Sequence, residues 1–266
     1  MTIKKSLFIA AIMLLATTMA NAAKKTIYKP WSNGKLKVSA NQRYLIHENG
    51  TPFFWLGNTA WLLPERLNRD EAEYFLAKER ELGYNVEQIQ VLNAIPTFNV
   101  YGQQANNKEF DFSKVSKPGV YGYWEHLDYI IDRAADNGIY IAMDCIWGSM
   151  IGQMDVKKAA AYGKFLGERY KNKPNIIWMI GGDILGDKSP EVWDALARAI
   201  KKYDNRHIMT FHPRGRTTSA RWFNNREWMD FNMFQSGHRR YGQRNGDGAD
   251  LRGADPRRFA RHQTGA

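Results

Sequence analysis

The stretch NIIWMIGGD, residues 175–183, is an apolar run that ends in two glycines and a carboxylate. Because the run is apolar at successive positions rather than at alternate ones, it predicts a parallel strand that is covered on both faces. The glycines carry no side chains, so a ligand can approach the backbone closely just before Asp183. We therefore predict a buried strand whose final side chain, Asp183, is accessible to a ligand.

Strand-like runs recur along the chain, and segments with helical periodicity separate them. Strands are predicted at residues 53–57, 84–92, 139–148, 175–182, 207–212 and 229–237. Helices are predicted at residues 71–83, 124–138, 155–170 and 190–203, with a short one at 222–228. Asn68 and Glu71 have capping-box spacing, Ser189 precedes a proline as a helix cap, and Asn49-Gly50 predicts a β-hairpin. This alternation predicts an α/β fold with a parallel sheet.

Such a sheet takes one of two common forms, an open doubly wound sheet or a (β/α)8 TIM barrel. No glycine-rich phosphate fingerprint follows the first strand, which disfavours the dinucleotide-binding doubly wound form. Polar or aromatic residues instead gather where strands end, as they do at the mouth of a barrel: Asn58, Gln90, Trp147, Asp183, His212, Gln235 and His238. Because a complete barrel has eight strands in about 250 residues, we expect an incomplete barrel of about six βα units.

The two ends of the chain differ in composition from its middle. Residues 1–22 contain a basic start, an apolar run and a small-residue cleavage site, which predicts a signal peptide and a periplasmic or secreted protein. Residues 23–237 are the predicted partial barrel. Residues 238–266 lack lysine and are rich in arginine, glycine and aspartate. We interpret them as a non-native tail from a shifted reading frame or truncated gene, or as a natural disordered tail.

Composition disfavours several classes of partner and cofactor. The net charge is +11, but no basic stripe with interleaved aromatics indicates nucleic acid. After removal of the signal peptide, no membrane partner is expected. Cys145 is the only cysteine, so it cannot form an intramolecular disulfide, and its apolar surroundings predict a buried thiol. His212 and His238 lack the spacing of a metal-binding motif, and no metal or cofactor is indicated.

Several separated motifs resemble one known family. They are FFWLGNTAW, GYNVEQIQVL, NKPNIIWMIGGD, MTFHPRGR and MDFNMFQSGH, in order within residues 35–238. Together they resemble the catalytic domain of the apiosidase-like glycoside hydrolases, family 140, formerly a domain of unknown function often followed by a putative collagen-binding domain. The resemblance implies a retaining (β/α)8 hydrolase that acts on apiose-containing side chains of the plant cell-wall pectin rhamnogalacturonan II.

Asp183 is the candidate catalytic residue. At the end of the fourth predicted strand, its carboxyl group can carry a proton to a leaving group, and a helix cap or a bond to a neighbouring strand is the alternative. The resemblance also implies that Asp183 is the acid/base, with a glutamate nucleophile on strand seven, a strand that is not recognisable here. Glu87 and Asp144 lie in earlier strands and match no nucleophile motif, and Asn58 stands where the family motif GDTAW has an acidic residue.

Other residues at the predicted mouth are candidate substrate contacts. Trp61 and Trp147 can stack on sugar rings, with core packing as the alternative. Amide and imidazole groups can hydrogen-bond sugar hydroxyls: Asn58, Gln90, His212, Gln235 and His238. Arg214 and Arg216 can meet a uronate carboxylate, although solvent exposure is the simpler interpretation. Two functions stay open, an apiosidase-like glycosidase and a catalytically inactive truncated fragment or weak carbohydrate-binding protein without the nucleophile.

Overall fold

A computed structural model describes residues 27–112, 115 and 119–237. The predicted signal peptide, His238 and the remainder of the predicted tail lie outside these residues. In the described segments, no helix is long and apolar enough to span a bilayer.

A small antiparallel sheet precedes the main one. It contains β1 (Leu36–Val38), β2 (Leu45–His47) and β3 (Pro52–Phe53), in the order β1-β2-β3. The β2-β3 hairpin turns through Asn49-Gly50, with Gly50 at φ +90°, which confirms the predicted hairpin. The Phe53 ring contacts Tyr140, at the start of a strand of the main sheet, with ring centroids 5.3 Å apart. The small sheet therefore covers the amino-terminal end of the main sheet.

The main sheet is parallel, as the alternation of elements predicted. In the described part of the chain it has five strands: β4 (Gly57–Thr59), β5 (Val86–Gln90), β6 (Tyr140–Asp144), β7 (Ile176–Ile184) and β8 (Met209–Pro213). Their order in the sheet is their order in the sequence, and every neighbouring pair is parallel. All five strands therefore bring their carboxyl ends to one edge, which is where a site on such a sheet forms.

Six α-helices are present in the described chain. They are α1 (Leu63–Arg66), α2 (Arg69–Glu81), α3 (Tyr123–Asp136), α4 (Val156–Tyr170), α5 (Pro190–Tyr203) and α6 (Ala220–Phe223). The predicted capping box is confirmed, since Asn68 Oδ1 accepts from the Glu71 N–H at 3.0 Å and Glu71 Oε2 accepts from the Asn68 N–H at 2.9 Å. Ser189 precedes α5 as expected, but its side chain makes no capping hydrogen bond. Its φ of +52° is left-handed rather than the extended conformation typical of a cap residue.

The parallel sheet has two faces, which we call the helix-covered face and the inner face. On the helix-covered face, strand residues share a core cluster with the helices: Ile89, Ile141, Met143, Trp178, Ile180, Met209 and Phe211. The inner face carries a second apolar cluster of strand and loop residues, including Val86, Tyr140, Ala142, Ile177 and Met179. Because successive side chains of a strand point to opposite faces, these clusters assign the other strand residues to a face.

Two predicted strands were wrong. Residues 53–57 are not one strand, because Phe53 ends the hairpin strand β3 and the parallel strand β4 begins at Gly57. Residues 229–237 do not form a sixth parallel strand. Only Phe234–Gln235 (β10) pairs, antiparallel to Thr217–Thr218 (β9). The physical reason lies at Asp230, whose carboxylate accepts the Met209 N–H at 2.7 Å in place of a backbone carbonyl of a further strand.

Candidate active site

The end of β7 is bent where the sequence reads Gly181-Gly182-Asp183. These residues have φ values of +119°, +99° and +51°, all in the left-handed half of backbone space. The register with β8 shifts here, since Gly181 pairs with His212 while Ile184 pairs with the next residue, Pro213. The extra residues form a bulge, and bulges re-aim side chains. Asp183 is exposed as a result, as the sequence predicted.

Both positions require glycine for two reasons. Their φ values are left-handed, and neighbouring atoms leave no room for a Cβ. A Cβ on Gly181 would lie 2.4 Å from the carbonyl oxygen of His212. A Cβ on Gly182 would lie 2.6 Å from Trp147 Cε3 and 2.9 Å from Asp144 Oδ2. The absent side chains thus make room for neighbouring protein groups at the mouth.

The structure brings Asp183, His212 and Gln235 together. The Asp183 N–H donates to His212 Nδ1 at 3.2 Å, and Gln235 Nε2 donates to Asp183 Oδ1. Gln235 Nε2 also lies 3.5 Å from His212 Nε2. Burial lowers the pKa of His212, and the nearby negative charge of Asp183 opposes this shift. A neutral ring that accepts at Nδ1 carries its proton on Nε2, so His212 fixes the backbone of Asp183 without adding positive charge.

Two tryptophans lie beside this group. The Trp61 and Trp147 rings contact each other at a centroid distance of 5.6 Å, and His212 lies 5.4 Å from Trp61 and 6.1 Å from Trp147. Both indoles are half-buried. Gln90 is buried nearby, and its N–H donates to the carbonyl of Trp61 at 2.8 Å. Six predicted site residues therefore cluster at the carboxyl edge of the sheet: Gln90, Trp61, Trp147, Asp183, His212 and Gln235.

Asn58 is not part of this cluster. Its Nδ2 donates to Glu79 Oε2 on α2 at 3.0 Å, and its Oδ1 accepts from the Thr59 N–H at 2.8 Å. Asn58 thus points to the helix-covered face, where its register partner Glu87 also lies. The structure therefore does not place Asn58 with the other predicted contacts at the mouth, because the strand alternation sends its side chain to the other side of the sheet.

A second carboxyl group at the mouth, that of Asp144, matches no nucleophile motif in the sequence. Asp144 ends β6 on the inner face, shared with Tyr140 and Ala142, and is fully buried. Burial raises the pKa of Asp144 well above its usual range, and the charge of Asp183 adds to this effect. The alternation of IYIAMD gives its face once Tyr140 is known to point inward.

The arginines expected near the mouth lie in the turn after β8. Arg214 is exposed, and its N–H donates to the carbonyl of Ile184 at 2.9 Å. Arg216 has a φ of +67°, and its N–H donates to the carbonyl of Gln235 at 2.6 Å. The turn therefore holds Gln235 against Asp183 through backbone contacts.

The chemistry available at this edge is a carboxyl group with neutral polar and aromatic neighbours. Within the described residues, no group of three or more His, Cys, Asp or Glu side chains is placed to hold a metal ion. An exposed carboxyl group, hydrogen-bonding amide and imidazole groups and half-buried indoles together suit a ligand with both hydroxyl groups and apolar faces. Such a site can transfer a proton to a bound hydroxylated molecule.

Gly182→Ala is expected to destabilise the protein by about 1–3 kcal/mol, because a left-handed alanine is strained and its Cβ has no room. The added carbon would meet Trp147 at 2.6 Å and Asp144 at 2.9 Å. Thermal denaturation measures the loss. Gly152→Ala is the matched control, since a Cβ on Gly152 meets nothing within 4 Å. Equal losses of stability in the two variants would contradict this account of the bulge.

Comparison with protein families gives one match over most of the chain. A family model described as "Apiosidase-like, catalytic domain" matches residues 39–258. A search of curated proteins found no match.

The chain is also similar to solved structures of glycoside hydrolases. One, described as a glycoside hydrolase, has 61% sequence identity and a TM-score of 0.83, covering 89% of this chain and 55% of that chain. Another, a glycoside hydrolase family 5 protein from Bacteroides vulgatus ATCC 8482, has 59% identity and a TM-score of 0.81, covering 90% of this chain and 52% of that chain. This chain thus spans about half the length of these two structures.

A more distant structure is similar in fold alone. The catalytic domain of endoglucanase Cel5A from Thermobifida fusca has 15% identity and a TM-score of 0.50, and the alignment covers 71% of this chain and 57% of that chain.

Proposed function

Because the chain belongs to the apiosidase-like family of glycoside hydrolases, we propose that it removes apiose from pectic side chains by retaining hydrolysis, with Asp183 as acid/base. One observation carries this proposal: an exposed carboxyl group ends the fourth parallel strand, held between His212 and Gln235. In glycoside hydrolysis, a carboxylic acid protonates the oxygen of the leaving sugar. Asp183 is the described strand-end carboxyl group that is accessible for this task.

The neighbours of Asp183 support binding of a sugar. The indoles of Trp61 and Trp147 offer apolar rings for the C–H face of a sugar, while Gln90, His212 and Gln235 supply groups that bond hydroxyls. His212 and Gln235 also hold the bulge and so fix the direction of the Asp183 side chain. Proton transfer needs this alignment, because the acid must lie within hydrogen-bond reach of the leaving oxygen.

We further propose that the five parallel strands belong to a (β/α)8 barrel. The strands follow one another without a change of order, whereas a doubly wound sheet reverses its strand order. The fold similarity to the Cel5A catalytic domain supports the same architecture. In a barrel, the inner face is the barrel interior, and Asp183 stands at the carboxyl-terminal mouth where catalytic groups belong.

Retention also requires a nucleophile, about 5–5.5 Å from the acid/base. The family resemblance implies a glutamate on a seventh strand for this role. Among the described strands β4 to β8, the inner face offers only Asp144 besides Asp183, and Asp144 is fully buried. This observation favours a second candidate function, a carbohydrate-binding protein that lacks turnover.

The proposed substrate is an apiose-containing side chain of rhamnogalacturonan II. The proposed location is the periplasm or the cell exterior, which rests on the basic start, apolar run and cleavage site of residues 1–22.

Incubation of the 266-residue chain with an apiose-containing rhamnogalacturonan II oligosaccharide tests the proposal. We expect NMR to detect free apiose whose first-formed anomer has the configuration of the cleaved bond, because two displacements at the anomeric carbon restore it. Binding of the oligosaccharide without release of apiose would support the second candidate. Release of the inverted anomer would contradict the retaining mechanism.

A further inference from the structure

Asp144 is a buried carboxyl group at the mouth that the proposed reaction leaves unused. It is the last residue of β6, it lies on the inner face and its exposed fraction is 0%. Neither carboxyl oxygen has a hydrogen-bond partner of ordinary geometry among the described residues. A buried polar group without partners is costly, and such groups concentrate at functional sites.

The surroundings of Asp144 connect it to the bulge. Its register partners are Gln90 on β5 and Met179 on β7. A Cβ on Gly182 would lie 2.9 Å from its Oδ2, and the same Cβ would meet Trp147 at 2.6 Å. Asp144 therefore packs beneath the backbone of Gly182, and Gly182 is the residue that precedes Asp183 in the chain.

The titratable groups that act on Asp144 favour an uncharged acid. Burial and the negative charge of Asp183 both raise the pKa of Asp144. Cys145 and Tyr162 are electrostatically coupled to Asp144, and burial raises the pKa of each of them as well. The Ile146 N–H offsets the rise in the pKa of Asp144 only in part. Two nearby carboxyl groups resist joint ionisation, and this reinforces the effect of burial on Asp144.

We propose that Asp144 is a positioning residue: an uncharged carboxylic acid that supports the backbone of Gly182 and the ring of Trp147, and so aligns Asp183. This inference rests on the proposed function of the site. The acid acts through Asp183 and Trp147 rather than on the sugar, because it has no exposed surface. A nucleophile, by contrast, must be ionised and must reach the anomeric carbon.

Three substitutions of Asp144 separate a positioning role from the role of a nucleophile: asparagine, alanine and leucine. An amide keeps one acceptor and one donor, as a protonated acid does. We therefore expect Asp144→Asn to keep kcat for apiose release within about threefold of the wild-type value. We expect Asp144→Ala to lower kcat about 10- to 100-fold with a much smaller change in KM, since a misplaced acid slows chemistry more than binding. Asp144→Leu, which fills the space but cannot interact with the Ile146 N–H, is expected to behave like Asp144→Ala.

Two outcomes would overturn the proposal. If Asp144→Asn loses as much activity as Asp183→Asn, the ionised form is needed and Asp144 is a nucleophile. If folded Asp144→Ala and Asp144→Leu match the wild type, the residue has no positioning role. Circular dichroism and thermal denaturation establish that each variant is folded at the assay temperature.

Infrared spectroscopy examines the uncharged acid without any activity measurement. We expect the difference spectrum between the wild type and Asp144→Asn at neutral pH to contain the carbonyl band of a protonated carboxylic acid, because the protonated Glu87 contributes equally to both proteins. Absence of this band would overturn the proposal. Failure of the wild type to release apiose would instead overturn the proposed function, while the band would still report the state of Asp144.

Discussion

Asp183→Asn is expected to lower kcat for release of apiose from a pectic oligosaccharide about 10²- to 10⁴-fold, the usual contribution of a general acid. The amide removes the transferable proton but keeps the shape of the side chain. Asparagine also tolerates the left-handed φ of +51° found at this position. The variant should therefore fold with the wild-type melting temperature, so that the loss reports chemistry alone.

An aspartate in the loop that follows β7 provides the matched control. Asp187 is exposed and lies four residues further along the chain. We expect Asp187→Asn to keep the wild-type kcat, because it lies outside the His212 and Gln235 contacts. Similar losses in the two variants, or full activity in Asp183→Asn, would rule out Asp183 as the acid.

Glu87→Gln is expected to stabilise the protein at alkaline pH by about 1–3 kcal/mol, because it removes a buried carboxyl group that ionises unfavourably. Glu87 lies on the helix-covered face with an exposed fraction of 0%, and Glu79 beside it is 6% exposed. Two carboxyl groups can hydrogen-bond to each other only while one carries a proton. Burial raises the pKa of Glu87 to about 8, and the charge of Glu79 contributes to the shift.

The direction of the pH dependence follows from this shift. Because the pKa of Glu87 in the folded state lies above the ordinary value of 4.5, the folded state holds the proton more tightly than the unfolded state. The stabilisation is complete below 4.5 and is lost as pH rises through about 8. The melting temperature of the wild type should therefore fall more steeply across this window than that of Glu87→Gln.

Thermal denaturation at a series of pH values measures the difference. The matched control is Glu109→Gln, since Glu109 is exposed. Its melting curve should follow the wild type at every pH. Parallel pH profiles for the wild type and Glu87→Gln would contradict an unfavourable ionisation at this position.

Much of the sheet could be predicted because its signals are local. Apolar runs of strand length, helical periodicity and the Asn68–Glu71 capping box depend on neighbours within a few residues. The glycines before Asp183 also indicated an accessible side chain, because a carboxylate that follows an apolar run and two glycines has room to reach the sheet edge. The position of Asp183 at the sheet edge could therefore be predicted, and the structure places His212 and the two tryptophans beside it.

The direction of some side chains and the pairing of distant segments could not be predicted. Asn58 lies in a three-residue strand, too short for alternation to reveal its face. Asp144 lies in a strand that is buried on both faces, so its run of residues gives no inward or outward signal. Residues 229–237 looked like a parallel strand, but the Asp230 carboxylate takes the Met209 N–H and replaces a backbone partner.

The dependence of kcat/KM on the leaving group tests most directly whether Asp183 protonates the departing sugar. Aryl apiosides with activated leaving groups need little protonation, whereas an apiose-containing oligosaccharide needs it fully. For Asp183→Asn, the account predicts near wild-type cleavage of the most activated aryl apioside and a loss of about 10²-fold or more on the oligosaccharide. An equal loss on both substrates would contradict a proton-donating role for Asp183.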